Sequence, residues 1–471
     1  MNFPNFCPCS VGFLPSEAPL EQLPKRYAAL QALIHIMPVL CKDGSAGLLA
    51  SPGMIESAVL KLPNIMPIIE SESKEDVVLF AALYRALTFV ASAYLLEPAH
   101  QHQKVSGAGE YGKARTFLPR MVSVPLVHVA QRLGVYPFLD YHFAYSLGNY
   151  IKIDKAGDFC YKNLAMACNF SGGKDECGFI MLHVDIVSQS PAMLESVWSF
   201  CDKPSIEALQ NFYESMVKIN ERRKLMWEAS RWDKYNDFRV FIMGIQGNTK
   251  LFGDGVVYED CFDNLPQQYR GQSGSQDDII PCADIFTGVL SYYPDNELTS
   301  YLIDMRSYRP PPVREFFRDL QACGNNIDTF ASLGVEALVV LLAIVNEIYN
   351  FRNGHWMFVQ RFILSATRYP TATGGTPITS WLPNQIAAVL DYQRDIIARI
   401  YALGGSIDPT LVPLAGSLPG KYWILRKQQE ELEKDSYDAE RVHALNPLDT
   451  LEYQTASGAA TCPFGHGTSS L

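Results

Sequence analysis

His355 is the residue of this sequence whose surroundings point most directly to chemistry. It lies in the stretch NFRNGHWMFVQRFIL, residues 350–364, where aromatic and aliphatic side chains predominate. If the stretch is helical, Arg352, Phe358 and Phe362 lie within two turns of the histidine. An imidazole in an apolar wall with a cation nearby suits an axial ligand of haem, and a single histidine does not predict a zinc site. The alternative is an ordinary hydrogen-bonded core histidine.

Two further segments carry polar side chains inside apolar runs. In ECGFIMLHVDIV, Phe179 precedes His183 by four positions, so both can face one cavity from a helix. In YNDFRVFIMGIQGN, Arg239 lies between apolar residues, and an unpaired buried guanidinium is strongly unfavourable. Either an internal Asp or Glu or an anionic ligand such as a carboxylate must therefore pair with Arg239. His183 has the same alternative as His355, a core histidine.

Several motifs follow one another in a fixed order. They are GFLPSEAPLEQLP, GFIMLHVDIV, FRVFIMGIQGN with DGVVYE, GQSGSQDD with CADIFTGV, MRSYRPPPVREFF, and FRNGHWMFVQRFIL with TATGGT. As a set, over about residues 11 to 400, they resemble the indoleamine 2,3-dioxygenase family, which are haem enzymes that open the indole ring of tryptophan. The resemblance implies haem b as cofactor, and O2 with tryptophan or a related indole as substrates. It also implies a role in tryptophan catabolism through the kynurenine pathway.

The resemblance assigns roles to individual residues. The family's proximal histidine, the haem iron ligand, falls on His355. The arginine at the haem edge falls on Arg352, and the acidic partner behind the proximal side falls on Asp284. The distal phenylalanine that packs on the indole falls on Phe179, and the arginine for the substrate carboxylate falls on Arg239.

Two loops are assigned in the same way. The threonine near the substrate ammonium falls on Thr373, and the flexible glycines that would let this loop act as a lid fall on Gly374 and Gly375. The segment over the distal pocket, Ser-Ala-Gly in the family, falls on Ser273, Gly274 and Ser275.

Three places depart from the family pattern. His183 lies where animal members have a small hydroxyl residue, which resembles the tryptophan 2,3-dioxygenases, whose distal histidine bonds the indole N–H. Lys234 and Tyr235 lie where the family has two adjacent aromatics, so one aromatic wall of the substrate pocket is lost. Asp277 and Asp278 lie where the family often has two serines. These changes leave haem binding intact and bear on which substrate is used.

Other functions fit the same residues. One is a haem-binding protein without turnover, such as a sensor. Another is a haem enzyme of the same fold that hydroxylates a different indole or aromatic amine. A helical domain without a cofactor is the remaining alternative.

Composition and charge narrow the class of protein. The chain has 471 residues and a formal net charge of −11, which argues against a nucleic-acid binder. No apolar run reaches the length of a membrane span, and no signal peptide is visible, so we expect a cytoplasmic protein that acts away from membranes. The family resemblance implies a monomer. Eleven cysteines without CxxC spacing favour reduced thiols, and the terminal CPCS and TCPFGHG segments carry no assigned role.

Helical periodicity predicts an all-α, mainly helical fold. Residues 1–123 are expected to form a smaller, mostly helical N-terminal domain that ends in a linker at 99–123. Residues 124–440 are expected to form a large helical haem-binding domain, and 441–471 a flexible tail. The predicted helices of the large domain are 124–153, 176–200, 204–245, 313–322, 333–366 and 380–403. Long loops are predicted at 246–280 and 367–379.

Overall fold

The computed structural model describes most of the chain, and it confirms the all-α prediction with 63% helix and 4% strand. The described residues are 6–8, 10–106, 111–295, 297–365, 369, 371–375, 378–407 and 412–434. The predicted tail, 441–471, lies outside them, as do Cys9, Cys462 and His466. The division between 1–123 and 124–440 stays a prediction.

In the described part of the chain, eleven α-helices precede residue 260. They are α1 Ala28–Ile36, α2 Met54–Val59, α3 Met66–Ser71, α4 Val77–Ser106, α5 Arg120–Leu133, α6 Lys174–Val187, α7 Pro191–Asp202, α8 Ile206–Lys224, α9 Met226–Ala229, α10 Asn236–Arg239 and α11 Thr249–Phe252. Seven follow in the described part of the chain. They are α12 Ile279–Thr287, α13 Glu297–Arg306, α14 Pro311–Ala322, α15 Ile327–Ala331, α16 Val335–Val359, α17 Ile378–Ala402 and α18 Val412–Lys434.

The strands are short and form two small sheets. In the first, β1 Phe117–Leu118 pairs in parallel with β4 Val256–Tyr258, which pairs antiparallel with β5 Pro266–Gln267. In the second, β2 Tyr150–Lys152 pairs antiparallel with β3 Leu164–Met166. The predicted loop 246–280 therefore contains α11, two strands and the start of α12, because strand β4 is anchored on a partner far away in the chain.

Helix α4 is the centre of the N-terminal half. It is apolar around most of its circumference and is buried along most of its 30 residues, so it packs on several partners at once. These partners include α5, the π-helical turn Tyr141–Tyr145 and the turn Val240–Ile242. Ser92 inside α4 donates a hydrogen bond of 2.5 Å to the carbonyl oxygen of Phe241. Helix α4 thus joins the part of the chain before residue 124 to the part after it.

Two helical segments are long and apolar enough to cross a membrane, Val77–Ser106 and Lys174–Asp202. The expectation that no such segment exists is therefore wrong by this criterion. The apolar window is 83% buried inside the fold in the first and 61% in the second, and core helices of globular proteins pass the same test. Burial against the rest of the chain accounts for their apolar character.

Helix α16 is the main support of the C-terminal half. It packs on α17 and α8 and continues into a π-helical turn, Gln360–Leu364. This confirms the predicted helix at 333–366, and α14 and α17 confirm those at 313–322 and 380–403. Long runs of apolar residues at helical spacing made these predictions reliable.

Other predicted elements end earlier than expected. The helix predicted at 124–153 ends at Leu133, because Gly134 adopts a left-handed conformation (φ 70°) that terminates α5, and residues 150–152 form strand β2. The helix predicted at 204–245 ends at Lys224 as α8, and short helical turns follow it. The predicted linker at 99–123 begins too early, since α4 continues to Ser106.

Candidate active site

A cavity of about 220 Å³ lies between α6, α16 and the segment 272–277. A second cavity, beside Phe143, has only about 10 Å³, roughly the space of one water molecule. Ten of the thirteen residues that the sequence assigned to the site line it: Phe179, His183, Tyr235, Ser273, Gly274, Ser275, Asp284, Arg352, His355 and Thr373. The other three, Arg239, Gly374 and Gly375, do not line it.

His355 presents a neutral imidazole to this cavity. Burial lowers its pKa to about 4, and the nearby His183, Arg223 and Arg352 act in the same direction. A neutral ring keeps a nitrogen lone pair available for a metal. Among the described residues, none forms a hydrogen bond with His355.

Behind His355, polar side chains pair with one another. One guanidinium nitrogen of Arg352 donates to the amide oxygen of Gln385 at 2.6 Å, and the other donates to the Asp284 carboxylate and the Tyr293 hydroxyl. The Tyr293 hydroxyl in turn donates to Asp284 at 2.8 Å. The predicted partnership of Arg352 with Asp284 is therefore present as a buried ion pair.

Arg223 is a second cation on the cavity wall, and sequence reasoning did not identify it. Its Nε donates to the side-chain oxygen of Asn220 at 3.1 Å, and no described carboxylate lies within 4 Å of it. A Cβ placed on Gly354 would lie 1.9 Å from a terminal nitrogen of Arg223. The glycine that precedes His355 therefore makes room for this guanidinium, and the Gly-His pair was the sequence signal that could have drawn attention to it.

Phe179 and His183 line the cavity from one face of α6. Their ring centroids are 4.9 Å apart, as their spacing of four residues predicts. The Nδ1 of His183 lies 2.8 Å from the carbonyl oxygen of Phe179, an arrangement that assigns the proton to Nδ1 and leaves Nε2 as an acceptor. Burial lowers the pKa of His183, so the ring is neutral.

Tyr235 completes the aromatic part of this wall. Its ring centroid lies 5.0 Å from that of Phe179, and its side chain is buried. Lys234 points elsewhere, with its ammonium 3.7 Å from Asp237. One aromatic residue therefore stands where two were expected in the family pattern.

The loop segments close the cavity at one end. Ser273 accepts a hydrogen bond from the backbone N–H of Ser275 and caps the short turn Gly274–Gln276. The backbone N–H of Gly244 donates to the carbonyl oxygen of Thr373 at 2.8 Å, which fixes Thr373 against the cavity. Gly375 has a φ of 90°, and a Cβ there would lie 2.2 Å from the carbonyl oxygen of Gln246. Both glycines pack against neighbouring segments, and their proposed lid role stays a prediction.

Arg239 lies beside the cavity and binds protein oxygens. Its terminal nitrogens donate to the Tyr111 hydroxyl at 2.9 Å and to the carbonyl oxygen of Thr371 at 2.8 Å. Its Nε has no hydrogen-bond partner, and no carboxylate of the described residues lies within 4 Å. Of the two alternatives from sequence, an internal acid is therefore not seen in the described chain. The role of Arg239 as ligand of a substrate carboxylate stays a prediction.

The residues of the cavity fit haem. They supply a neutral imidazole, apolar walls from Phe358, Val359, Ile363 and Leu382, and a cation without a carboxylate partner, Arg223. No group of three or more His, Cys, Asp or Glu side chains in the described chain could hold a metal ion by itself. An iron held by one histidine within a porphyrin is compatible with that arrangement.

Comparisons with known proteins identify the same region. The family model described as indoleamine 2,3-dioxygenase matches residues 8–385. Indoleamine 2,3-dioxygenase 1 of Rattus norvegicus is 27% identical over 312 residues, which cover 64% of this chain and 70% of the relative. A 6-hydroxytryptophan 2,3-dioxygenase of Fusarium equiseti is 23% identical over 381 residues, 75% of this chain and 83% of the relative. A myoglobin of Haliotis madaka is 24% identical over 276 residues, 55% of this chain and 68% of the relative.

Proposed function

We propose that this chain, which belongs to the indoleamine 2,3-dioxygenase family, cleaves the C2–C3 bond of the indole ring of L-tryptophan with O2 to give N-formylkynurenine. The observation that carries the proposal is one cavity lined from two helices. A neutral imidazole, His355 on α16, and the aromatic pair Phe179 and His183 on α6 all line it. This arrangement offers one side to a porphyrin and the other side to a flat aromatic substrate.

The family is haem-dependent, and we propose haem b as the cofactor of this chain. His355 holds its iron, and Arg352 and Arg223 place positive charge in the same cavity for its acidic side chains. Haem, when bound, supplies the redox chemistry that activates O2. The apolar walls exclude water from the reaction.

The distal residues orient the substrate. Phe179 packs against the indole ring, and the free Nε2 of His183 accepts the indole N–H. Both side chains project from one helix, so the ring position and its tilt are determined together. Good orientation alone contributes much of the acceleration of such a reaction.

The amino-acid part of the substrate binds at the loop end. Thr373 and Ser273 lie there and supply hydroxyl oxygens for the ammonium group. Arg239 pairs with the carboxylate after its guanidinium exchanges the carbonyl oxygen of Thr371 for a carboxylate oxygen. A charged acceptor forms a stronger hydrogen bond than a neutral carbonyl, which favours the exchange. We further propose that the protein acts as a cytoplasmic monomer in the kynurenine pathway.

The test combines a spectrum with a product mass. The purified protein is reduced, mixed with tryptophan and O2, and followed through the Soret band and the ultraviolet absorption of the product. We expect a haem spectrum and a product that is heavier than tryptophan by two oxygen atoms. A product with one added oxygen atom would instead show that the protein is a hydroxylase that acts on an indole or aromatic amine.

A second candidate is a haem protein that binds O2 without turnover. The similarity to a protein named myoglobin favours it, because that name denotes a haem protein that binds O2. It predicts a stable oxygenated spectrum with no product when tryptophan is present. The same experiment therefore distinguishes the two functions.

A further inference from the structure

Asp277 places a carboxyl group in the wall of an otherwise largely apolar cavity. The residue lines the cavity and is only 9% exposed. One carboxylate oxygen accepts from the backbone N–H of Ile279 at 2.9 Å, and the other accepts from the Tyr141 hydroxyl at 3.2 Å. A buried carboxyl in such a place is unfavourable unless its oxygens are satisfied.

No cation contacts this carboxyl among the described residues. Arg309, the nearest candidate, donates through Nε to the side chain of Asp278 at 2.6 Å, and it reaches only the backbone carbonyl oxygen of Asp277 at 2.8 Å. Each oxygen of Asp277 has one neutral donor and room for another. The carboxyl therefore has hydrogen-bonding capacity that the protein does not use.

The local fold does not require a carboxyl here. The bond to the N–H of Ile279 closes a turn before α12, and a serine hydroxyl makes the same kind of turn. The second oxygen, beside Tyr141, is thus surplus to the turn. Burial raises the pKa of Asp277 to about 6, and the neighbouring Asp278 adds to this effect, so the group accepts hydrogen bonds readily near neutral pH.

Tyr141 places this carboxyl beside the distal histidine. The Tyr141 ring lies edge-on to the ring of His183, with centroids 6.3 Å apart, and Tyr141 is fully buried behind the cavity wall. In an indole, the N–H and the carbons C7 and C6 follow one another along one edge of the ring system. His183 and Asp277 both line the cavity and both contact Tyr141, so an indole bound through its N–H at His183 has the Asp277 carboxyl close by.

We propose that Asp277, positioned by Tyr141, is a specificity residue that accepts a hydrogen bond from a hydroxyl group on the benzene ring of the indole substrate. The preferred substrate class is then a ring-hydroxylated tryptophan, with the hydroxyl on the C6–C7 edge. This inference rests on the proposed function for the binding mode, and it names the substrate class of the same site. Asp277 contacts the substrate, whereas Tyr141 acts only through Asp277.

The experiment compares two substrates of similar size. One is 6-hydroxytryptophan, and the other is 6-methyltryptophan, which fills the same space without a donor. Dissociation constants come from calorimetry and kcat/KM from product formation. In the parent protein we expect a preference of about 10-fold for the hydroxyl compound, the effect of one hydrogen bond to a charged group.

Asp277→Ser should reduce this preference to about 1, because the serine keeps the turn and removes the surplus oxygen. Tyr141→Phe should reduce it partially, and the Asp254→Ser variant, which changes an exposed carboxylate, should leave it unchanged. The Soret band should be identical in all four proteins, which shows that the fold and haem site are intact.

The outcomes separate the two proposals. An equal preference in the parent and in Asp277→Ser would overturn the role of Asp277, whether or not the enzyme turns over. If the protein binds 6-hydroxytryptophan preferentially through Asp277 but forms no product, the role of Asp277 stands and the dioxygenase function is overturned. If the protein turns over tryptophan but shows no preference between the two analogues, the dioxygenase function stands and the role of Asp277 is overturned.

Discussion

The two walls of the cavity are built in different ways. On the wall of His355, Arg352, Asp284, Tyr293 and Gln385 form one buried network that pairs the two charges within the protein, although Asp284 Oδ1 and Arg352 Nε have no hydrogen-bond partner among the described residues. On the wall of α6 and the segment 272–277, His183 retains a free Nε2 and Asp277 has spare acceptor capacity, while Arg239 binds neutral oxygens beside the cavity. The first wall pairs its carboxylate with a cation of the protein, whereas the second has acceptors left for a substrate.

This difference indicates a division of labour. A wall whose charges are paired within the protein gives a rigid support, and its loss should affect cofactor binding and stability. A wall with unused donors and acceptors gives recognition, and its loss should affect substrate affinity with little effect on the fold. The predictions below test this separation, from the largest expected effect to the smallest.

The largest effect is expected from His355→Ala. The described residues of the cavity offer no second imidazole on that wall, so the iron would lose its protein ligand. We expect haem affinity to fall roughly 100-fold or more, because loss of a residue that only supports a metal ligand already costs about 10- to 100-fold. Haem content and the Soret band measure it, and His35→Ala, at an exposed position, is the control. Full haem content with an unaltered spectrum would remove His355 from the iron.

The buried ion pair should matter mainly for stability. Arg352→Leu leaves the Asp284 carboxylate buried without its cation, and we expect the free energy of unfolding to fall by about 3–5 kcal/mol. The double variant Arg352→Leu with Asp284→Leu should be less destabilised than the sum of the two single changes. Urea unfolding measures all three. Additive losses would show that the two side chains do not act as a pair.

Arg239→Leu should act on the substrate and leave the haem spectrum unchanged. We expect the KM for tryptophan to rise about 10- to 100-fold, because a charged hydrogen bond to the carboxylate contributes about 1.5–3 kcal/mol. Arg239→Lys keeps the positive charge, so its KM for tryptophan should lie between those of the parent protein and the leucine variant. Steady-state kinetics is the measurement, and an unchanged KM in the leucine variant would place Arg239 outside the substrate site.

The smallest effect concerns pH. Burial lowers the pKa of His183 below the ordinary histidine value of about 6.5. Above that ordinary value nearly all His183 side chains are neutral acceptors, and this form is lost only as the pH falls through the lowered pKa. The KM for tryptophan should stay constant from about pH 8 to 6.5 and rise, by about 10-fold at most, in more acid solution.

The matched variant for this measurement is His183→Ser. It should have a raised KM and should lack the acid rise, since a serine hydroxyl does not titrate in this range. If both proteins show the same pH profile, another group is responsible, with Asp277 the first to examine because its pKa is about 6.

The sequence by itself determined the long helices and the pairs within them. Apolar periodicity predicted α14, α16 and α17, and helical spacing alone placed Phe179 beside His183 and Arg352 near His355. These relations depend on residues within one or two turns, where the geometry of the α-helix leaves little freedom. The resemblance to a family then gave the order of the motifs a chemical meaning.

Only the tertiary structure decided which distant side chains meet. The Tyr141 hydroxyl bonds Asp277 across 136 positions of the chain, and Arg239 bonds Tyr111 across 128. Arg223 rests against Gly354 because two helices, α8 and α16, pack together there. Such contacts follow from how helices pack and where loops close, and local spacing carries no information about either.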